Sequence, residues 1–411
     1  MSLLSLPTEI LQKIFYNLEQ PLTNVALVCR RLRDIAEPIL YEEFSGEMPS
    51  ALEGYMKAII RRPELAEYVK SFSSPTAQPG LSMTNQQIKL PSMTQEQHER
   101  LRNYLLDDIY GKEKCDEWYV SLETRCNYEV VFGFFLNLIS TRVERLVLRT
   151  EGYRPYVQLV AEAAAKAQED SADSHLFSKL RSVHLDDMKY PASLIKMDFV
   201  LPYLKLKSVA CLSVSGLVEE SPGPGWRLDP VVDGERIPPI QWQSDTFQVF
   251  SIVDLTLTRA CMEADAIKEF LGRFVSLQRF RYEHRAAVTV HDHGFVPFAI
   301  IAGLEHSKHC LEWAQLERAR GNEFLEEIID IYNPLASLKG FERLRTSVFD
   351  FLNVLLSEYE QHPLPNLTTM VLKFNGKEKK RIVEALWNED DSTILDGVLR
   401  LMAINEPFGD A

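Results

Sequence analysis

Six cysteines in 411 residues, Cys29, Cys115, Cys126, Cys211, Cys261 and Cys310, are scattered without close pairing. That spacing implies no disulfide scaffold and fits reduced thiols in the cytosol or nucleus. Long hydrophobic runs are missing as well. The longest, Val130 to Ile139, contains Asn137 and is too short to span a bilayer, and the N-terminus has neither a basic nor a long apolar leader, so no membrane is expected as a partner. Positive charge is scarce: 45 Lys and Arg against 59 Asp and Glu give a net charge of −14. Phosphate binding needs clustered cations, so nucleic acid is not an expected partner. There is no Gly-rich nucleotide loop, no Gly-x-Ser-x-Gly and no Cys-x-x-Cys.

What the chain does have is apolar content, 45% of its residues, enough for a large core. The pattern is densest at the N-terminus. Pro7 suits the first position of a helix, and Glu9 complements the positive end of its dipole. Leu6, Ile10, Leu11, Ile14, Phe15 and Leu18 fall at helical spacing up to Pro21; Leu22, Val25, Leu27, Val28 and Leu32 form a second set, so two or three short helices are expected. A segment of some forty residues is near the size that needs a partner or a staple to stay folded. Burying one Leu or Ile gains roughly 1.5–3 kcal/mol, so five left exposed would forgo about 7–15 kcal/mol. Something must cover them, either the rest of the chain or another protein.

The ordered string Leu6-Pro7, Glu9-Ile10-Leu11, Ile14-Phe15, Leu18, Leu27-Val28-Cys29-Arg30-Arg31 and Pro38-Ile39-Leu40-Tyr41 resembles an F-box. The resemblance implies docking onto a SKP-family adaptor, and through it a cullin, by Leu6, Pro7, Ile10, Leu11, Ile14, Leu18, Val25, Leu27, Val28, Cys29 and Leu32.

Beyond residue 45, a helix is expected over Met48 to Ile60, a flexible loop near 73–97, and helical patterns at 98–110 and 127–139. From Arg142 onward a unit recurs: apolar, two residues, apolar, one residue, apolar. Its instances are Val143/Leu146/Leu148, Leu180/Val183/Leu185, Val209/Leu212/Val214, Ile252/Leu255/Leu257, Leu277/Phe280/Tyr282, Leu311/Ala314/Leu316, Phe341/Leu344/Thr346 in part, and Leu367/Met370/Leu372. Helices are expected between them at 156–167, 264–273, 295–303, 323–331, 348–358 and 378–387. The pattern is that of leucine-rich repeats, although the units are 25 to 43 residues apart. The layout resembles F-box proteins of the filamentous-fungal type with degenerate repeats. The repeat Asn is absent from most units, which argues against a regular asparagine ladder. The expected fold is α/β: an all-helical F-box at 1–45, a helical linker region at 46–140, and an irregular leucine-rich-repeat horseshoe, a solenoid, at 141–411, with a Pro/Gly-rich insertion at 219–244.

Candidates for chemistry are few. His291, His293, His306, His309 and Cys310 read as histidines on polar loops rather than a metal site. Asp186-Asp187, Glu326-Glu327 and Asp390-Asp391 are sequence neighbours that point apart, and neither Cys115 nor Cys126 has a nearby His. No cofactor and no catalytic group are expected. The basic run at 377–381 reads as a solvated face or turn, with a nuclear address as the lesser alternative. Trp226, Arg227 and Trp242 lie in or beside the insertion and offer anchors for a target protein, or a cap on the strand array. Trp118, Trp313 and Trp387 are expected in the core. The function implied is that of a non-catalytic substrate receptor of an SCF-type ubiquitin ligase, cytoplasmic or nuclear; the alternative is an F-box scaffold that promotes no ubiquitylation.

Overall fold

The computed structural model describes residues 3–18, 22–45, 49–74, 95–105, 107–124, 128–150, 155–170, 175–187, 195–218, 249–284, 297–318, 341–344, 346–349 and 369–372. The chain divides into two compact parts, Met1–Lys189 with Leu201–Val209, and Tyr190–Val200 with Ala210–Ala411.

The first part opens with α1 (Thr8–Tyr16), α2 (Leu22–Ala26), α3 (Arg30–Glu42) and the short strand β1 (Glu43–Phe44). Pro7 is the N-cap of α1 rather than its first residue, with φ −56 and ψ 150. Its carbonyl accepts from the amides of Ile10 (3.2 Å) and Leu11 (3.1 Å), so the ring closes off the helix start from one residue outside. Glu9 sits in the first turn as expected. The helices fold around a small core of their own: Leu11, Phe15, Ala26, Leu32, Ile35 and Ala36.

Then come α4 (Pro49–Arg61), a 3₁₀ turn at Pro63–Tyr68, and β2 (Ser71–Ser73). Packing continues across residue 45. Phe44 pairs with Phe72 in the parallel β1–β2 ladder, its ring lies 4.6 Å from that of Tyr55, and the Tyr55 hydroxyl donates to the Tyr41 carbonyl at 2.9 Å. The chain continues through α5 (Gln95–Asn103), α6 (Asp107–Tyr110), α7 (Lys112–Thr124), the wholly buried α8 (Tyr128–Ile139), β3 (Arg145–Thr150), α9 (Pro155–Asp170) and β4 (Ser182–Asp187). Helix α5 claims residues 95–97, which the sequence assigns to the loop; residues 75–94 lie outside the described residues. Helix α7 lies in the expected helical region but between the helical patterns at 98–110 and 127–139, and Cys115, Trp118 and Leu122 form its buried apolar face. Gly133 lets α8 meet α9: a Cβ there would lie 2.5 Å from the Tyr156 Cβ.

The second part contains β5 (Ile195–Lys196), the start of α10 (Met197–Lys205), β6 (Cys211–Ser215), β7 (Leu217–Val218), β8 (Asp254–Ala260), α11 (Ala264–Leu271), β9 (Arg279–His284), α12 (Pro297–Leu304), β10 (Trp313–Arg318), β11 (Thr346–Phe349) and β12 (Thr369–Leu372). Strands β6, β8, β9, β10, β11 and β12 succeed one another in a parallel sheet, and β5 pairs with β7.

Register explains the apolar unit. Phe44, Phe72, Leu146 and Val183 stand opposite one another in the first part; in the second, Leu212, Leu255, Phe280, Ala314, Ser347 and Met370 do so. The seventh unit is therefore Leu344/Ser347/Phe349, not Phe341/Leu344/Thr346. A polar Ser at its middle position disguised it, and Val348 and Phe349, expected in a helix, belong to β11. The unit before β3 is Val69/Phe72/Ser74, hidden by Ser74, which is 4% exposed and accepts the Arg149 amide at 2.7 Å.

Just ahead of the strands a backbone link recurs. The Lys70 carbonyl accepts from both Glu144 (2.7 Å) and Arg145 (3.0 Å), and that of Glu144 from Arg181 (2.8 Å) and Ser182 (3.1 Å). In the second part the carbonyls of Ala210, Val253 and Gln278 each accept two successive amides from the next unit, at 2.8–3.1 Å.

Candidate functional site

Helix α1 divides its apolar residues between two sides. Leu11 and Phe15, four apart, face the small core with Leu32, while Ile10 is 43% exposed and Ile14 half-buried. Leu18, past the end of α1, is 37% exposed; Leu27 and Val28, in the turn between α2 and α3, are 75% and 70% exposed. Pro7 is exposed too, and Leu6, Val25 and Cys29 are half-buried. Of the residues assigned to adaptor docking, then, Leu11 and Leu32 (0% and 3% exposed) hold the helices together, and the open apolar surface falls to the others. Sequence reasoning missed Leu4, 42% exposed, whose carbonyl, like that of Leu6, accepts from the Arg31 guanidinium.

Large aliphatic side chains exposed beside a complete small core mark a surface built to be covered. Residues 3–45 match the family model described as F-box-like. No curated protein matches the chain. An F-box-like region points in general to a substrate-adaptor role in SCF-type ubiquitin ligases, and such regions typically bind SKP-family adaptors and hence cullins.

Charged groups fasten the F-box-like region to the segment between α4 and β2. The Arg62 guanidinium donates two bonds to the Glu37 carboxylate, at 2.7 and 3.0 Å, and a third to Glu64 at 3.0 Å. Those bonds hold the Glu37 carboxyl below its ordinary range. The Glu42 carboxylate accepts from the Tyr16 hydroxyl at 2.6 Å and from the Lys70 ammonium at 2.9 Å, and the Glu42 carbonyl accepts the Lys70 amide at 2.9 Å. Bonding to Tyr16 and Lys70 lowers the Glu42 carboxyl, and the same bond raises the Tyr16 phenol.

On β6, β8, β9 and β10 the residues Leu212, Leu255, Phe280 and Ala314 and, two places on, Val214, Leu257, Tyr282 and Leu316 are buried, while the positions between them are mostly polar. One row runs Cys211, Asp254, Arg279, Trp313 in register, and the next Ser213, Thr256, Arg281, Gln315. The Arg279 guanidinium lies 5.5 Å from the Trp313 ring centroid and 3.5 Å from Asp254. Burial raises the Asp254 carboxyl, and Arg279 offsets this in part. Arg281 lies between Glu283 (3.4 Å) and Glu317 (3.3 Å). Trp313 thus corrects its expected core position: it stands on the polar side of β10, against an arginine. Trp118 is in the core, 1% exposed, and Trp387 lies outside the described residues.

The remaining candidates separate. His309 pairs with Glu342 at 3.0 Å, and among the described residues no group of three or more His, Cys, Asp or Glu could hold a metal. His291, His293, Cys126, Trp226, Arg227, Trp242 and the 219–244 insertion lie outside the described residues. Among the described residues no helix is long and apolar enough to cross a membrane.

Proposed function

We propose that this chain is the substrate-recognition subunit of an SCF-type cullin-RING ubiquitin ligase, docking a SKP-family adaptor through Ile10, Leu18, Leu27 and Val28 and holding a protein target on its repeated strands. The observation that carries this reading is the exposure of Leu27 and Val28 beside a completed core, within a match to an F-box-like region. Burying both on an adaptor would gain about 3–6 kcal/mol before the costs of association.

The repeated part is read as an irregular leucine-rich-repeat horseshoe. Parallel pairing, one register of inward positions and the recurring carbonyl link support it. So does a buried Ser hydroxyl that donates to a Phe carbonyl of the preceding unit: Ser208 to Phe177 at 2.7 Å and Ser307 to Phe274 at 2.6 Å. Trp226, Arg227 and Trp242 belong to the target site in this reading. The chain supplies proximity rather than acid, base or nucleophile, raising the effective concentration of target lysines near a ubiquitin-charged enzyme. A reducing compartment, cytoplasm or nucleus, fits its scattered thiols.

The test is co-purification with a SKP-family adaptor. Leu27→Lys with Val28→Lys should weaken binding about 100-fold or more, since two charges would be carried into an apolar interface, with the melting temperature unchanged. Undiminished binding would sink the reading. Adaptor binding without change in the level of any captured target on deletion would favour the non-ligase scaffold.

A further inference from the structure

Beyond the β1–β2 ladder and the Tyr55–Tyr41 hydrogen bond, side chains make the junction between the F-box-like region and the sheet of the first part in two ways, and the two do different work. Its apolar half is Tyr41, Phe44, Tyr55 and Phe72, whose rings stack and tilt at centroid distances of 4.6–5.6 Å. Apolar burial is non-directional: it holds elements together without fixing the angle between them. Its polar half is the Glu37–Arg62–Glu64 cluster and the Tyr16–Glu42–Lys70 chain, joining α1 and α3 to the segment between α4 and β2. These groups lie largely at the surface, where ion pairs add little to stability. A bidentate guanidinium–carboxylate pair does, however, impose a definite geometry. Glu42 adds a second point of attachment, since its side chain grips Tyr16 and Lys70 while its carbonyl holds the Lys70 amide.

We infer that Glu37, Arg62 and Glu42 are positioning residues that set the direction in which the adaptor-docking face points relative to the sheet, and so aim whatever the ligase presents. The consequence for ubiquitin delivery rests on the adaptor-docking reading; the orientation itself does not.

The experiment uses the full chain, carrying spin labels on genetically encoded keto amino acids at the exposed positions Thr23 in α2 and Lys166 in α9, both within the first part. Distance distributions are recorded for the wild type, for Arg62→Lys, which keeps the charge and loses the fork, for Glu42→Gln, and for the double variant. The double variant should broaden the distribution roughly twofold or shift its maximum while melting within about 2 °C of the wild type. Adaptor affinity, measured in parallel, should not change. An unaltered distribution would overturn the inference, and so would broadening seen only together with a large fall in melting temperature, which would make these groups ordinary structural contacts. A wild-type chain that does not bind the adaptor would instead remove the functional reading and leave the distance result standing.

Discussion

In the F-box-like region the aliphatic side chains outnumber the places available to bury them, whereas on the polar side of the second part's parallel strands Arg279 and Arg281 already have acidic neighbours. Leu27 and Val28 have only water against most of their surface. Arg279, by contrast, already has Trp313 and Asp254, and Arg281 already has Glu283 and Glu317. A partner of the first surface gains apolar burial outright. A partner of the second must break or share existing pairs, and so gains selectivity more than affinity.

The largest effect that could break this contrast lies inside the first region. Leu11→Ala should cost about 2–5 kcal/mol of stability by opening a cavity in a very small core, lowering the melting temperature and losing the adaptor through unfolding. Leu27→Ala should leave stability nearly unchanged and weaken only adaptor binding. If calorimetry finds the two equally destabilising, the division between core and docking residues is wrong.

Acidity sharpens the comparison at intermediate size. His184, on the first part's sheet, is buried enough to lie below its ordinary value near 6.5. The unfolded chain therefore takes up a proton as the pH falls through that value while the folded chain resists, and stability declines on acidification. The lowered carboxyls of Glu37 and Glu42 add a further loss at lower pH, because their contribution is present above the ordinary carboxylate range and disappears as pH falls through their folded values. Asp254 acts in the opposite sense: its raised carboxyl is relieved by protonation. Denaturant titrations between about pH 7.5 and pH 5.5, values chosen to bracket the histidine range, should show a decline that His184→Gln removes. A decline that persists in His184→Gln would assign it to another group.

The smallest effect is expected where pairing is already complete. Arg279→Ala should change stability by no more than about 1 kcal/mol, since among the described residues it loses an exposed ion pair and one cation–π contact. A larger fall in melting temperature would mean that this row is structural rather than available to a partner.

Much of this was legible in the sequence. The strand positions centred on Leu146, Val183, Leu212, Leu255, Phe280, Ala314 and Met370 emerge from apolar spacing alone, because an inward side chain must recur at every second strand position. The misread strand positions share one cause, a residue whose type misstates its place in the strand. Ser74 and Ser347 hid their units, and Trp313 stands at an outward place where its size suggested the core. At the N-terminus, spacing identifies apolar faces but not which one is covered. That Leu11 and Leu32 face inward depends on how α1 and α3 meet, which no spacing encodes.

One oxygen that receives two amides from the following unit is a joint written in the main chain. Lys70, Glu144, Ala210, Val253 and Gln278 occupy that place with no side chain in common. Selection on such a joint acts on backbone shape and leaves residue identity free to wander. Relatives of this chain could therefore share its architecture while retaining almost no common lettering beyond the first 45 residues.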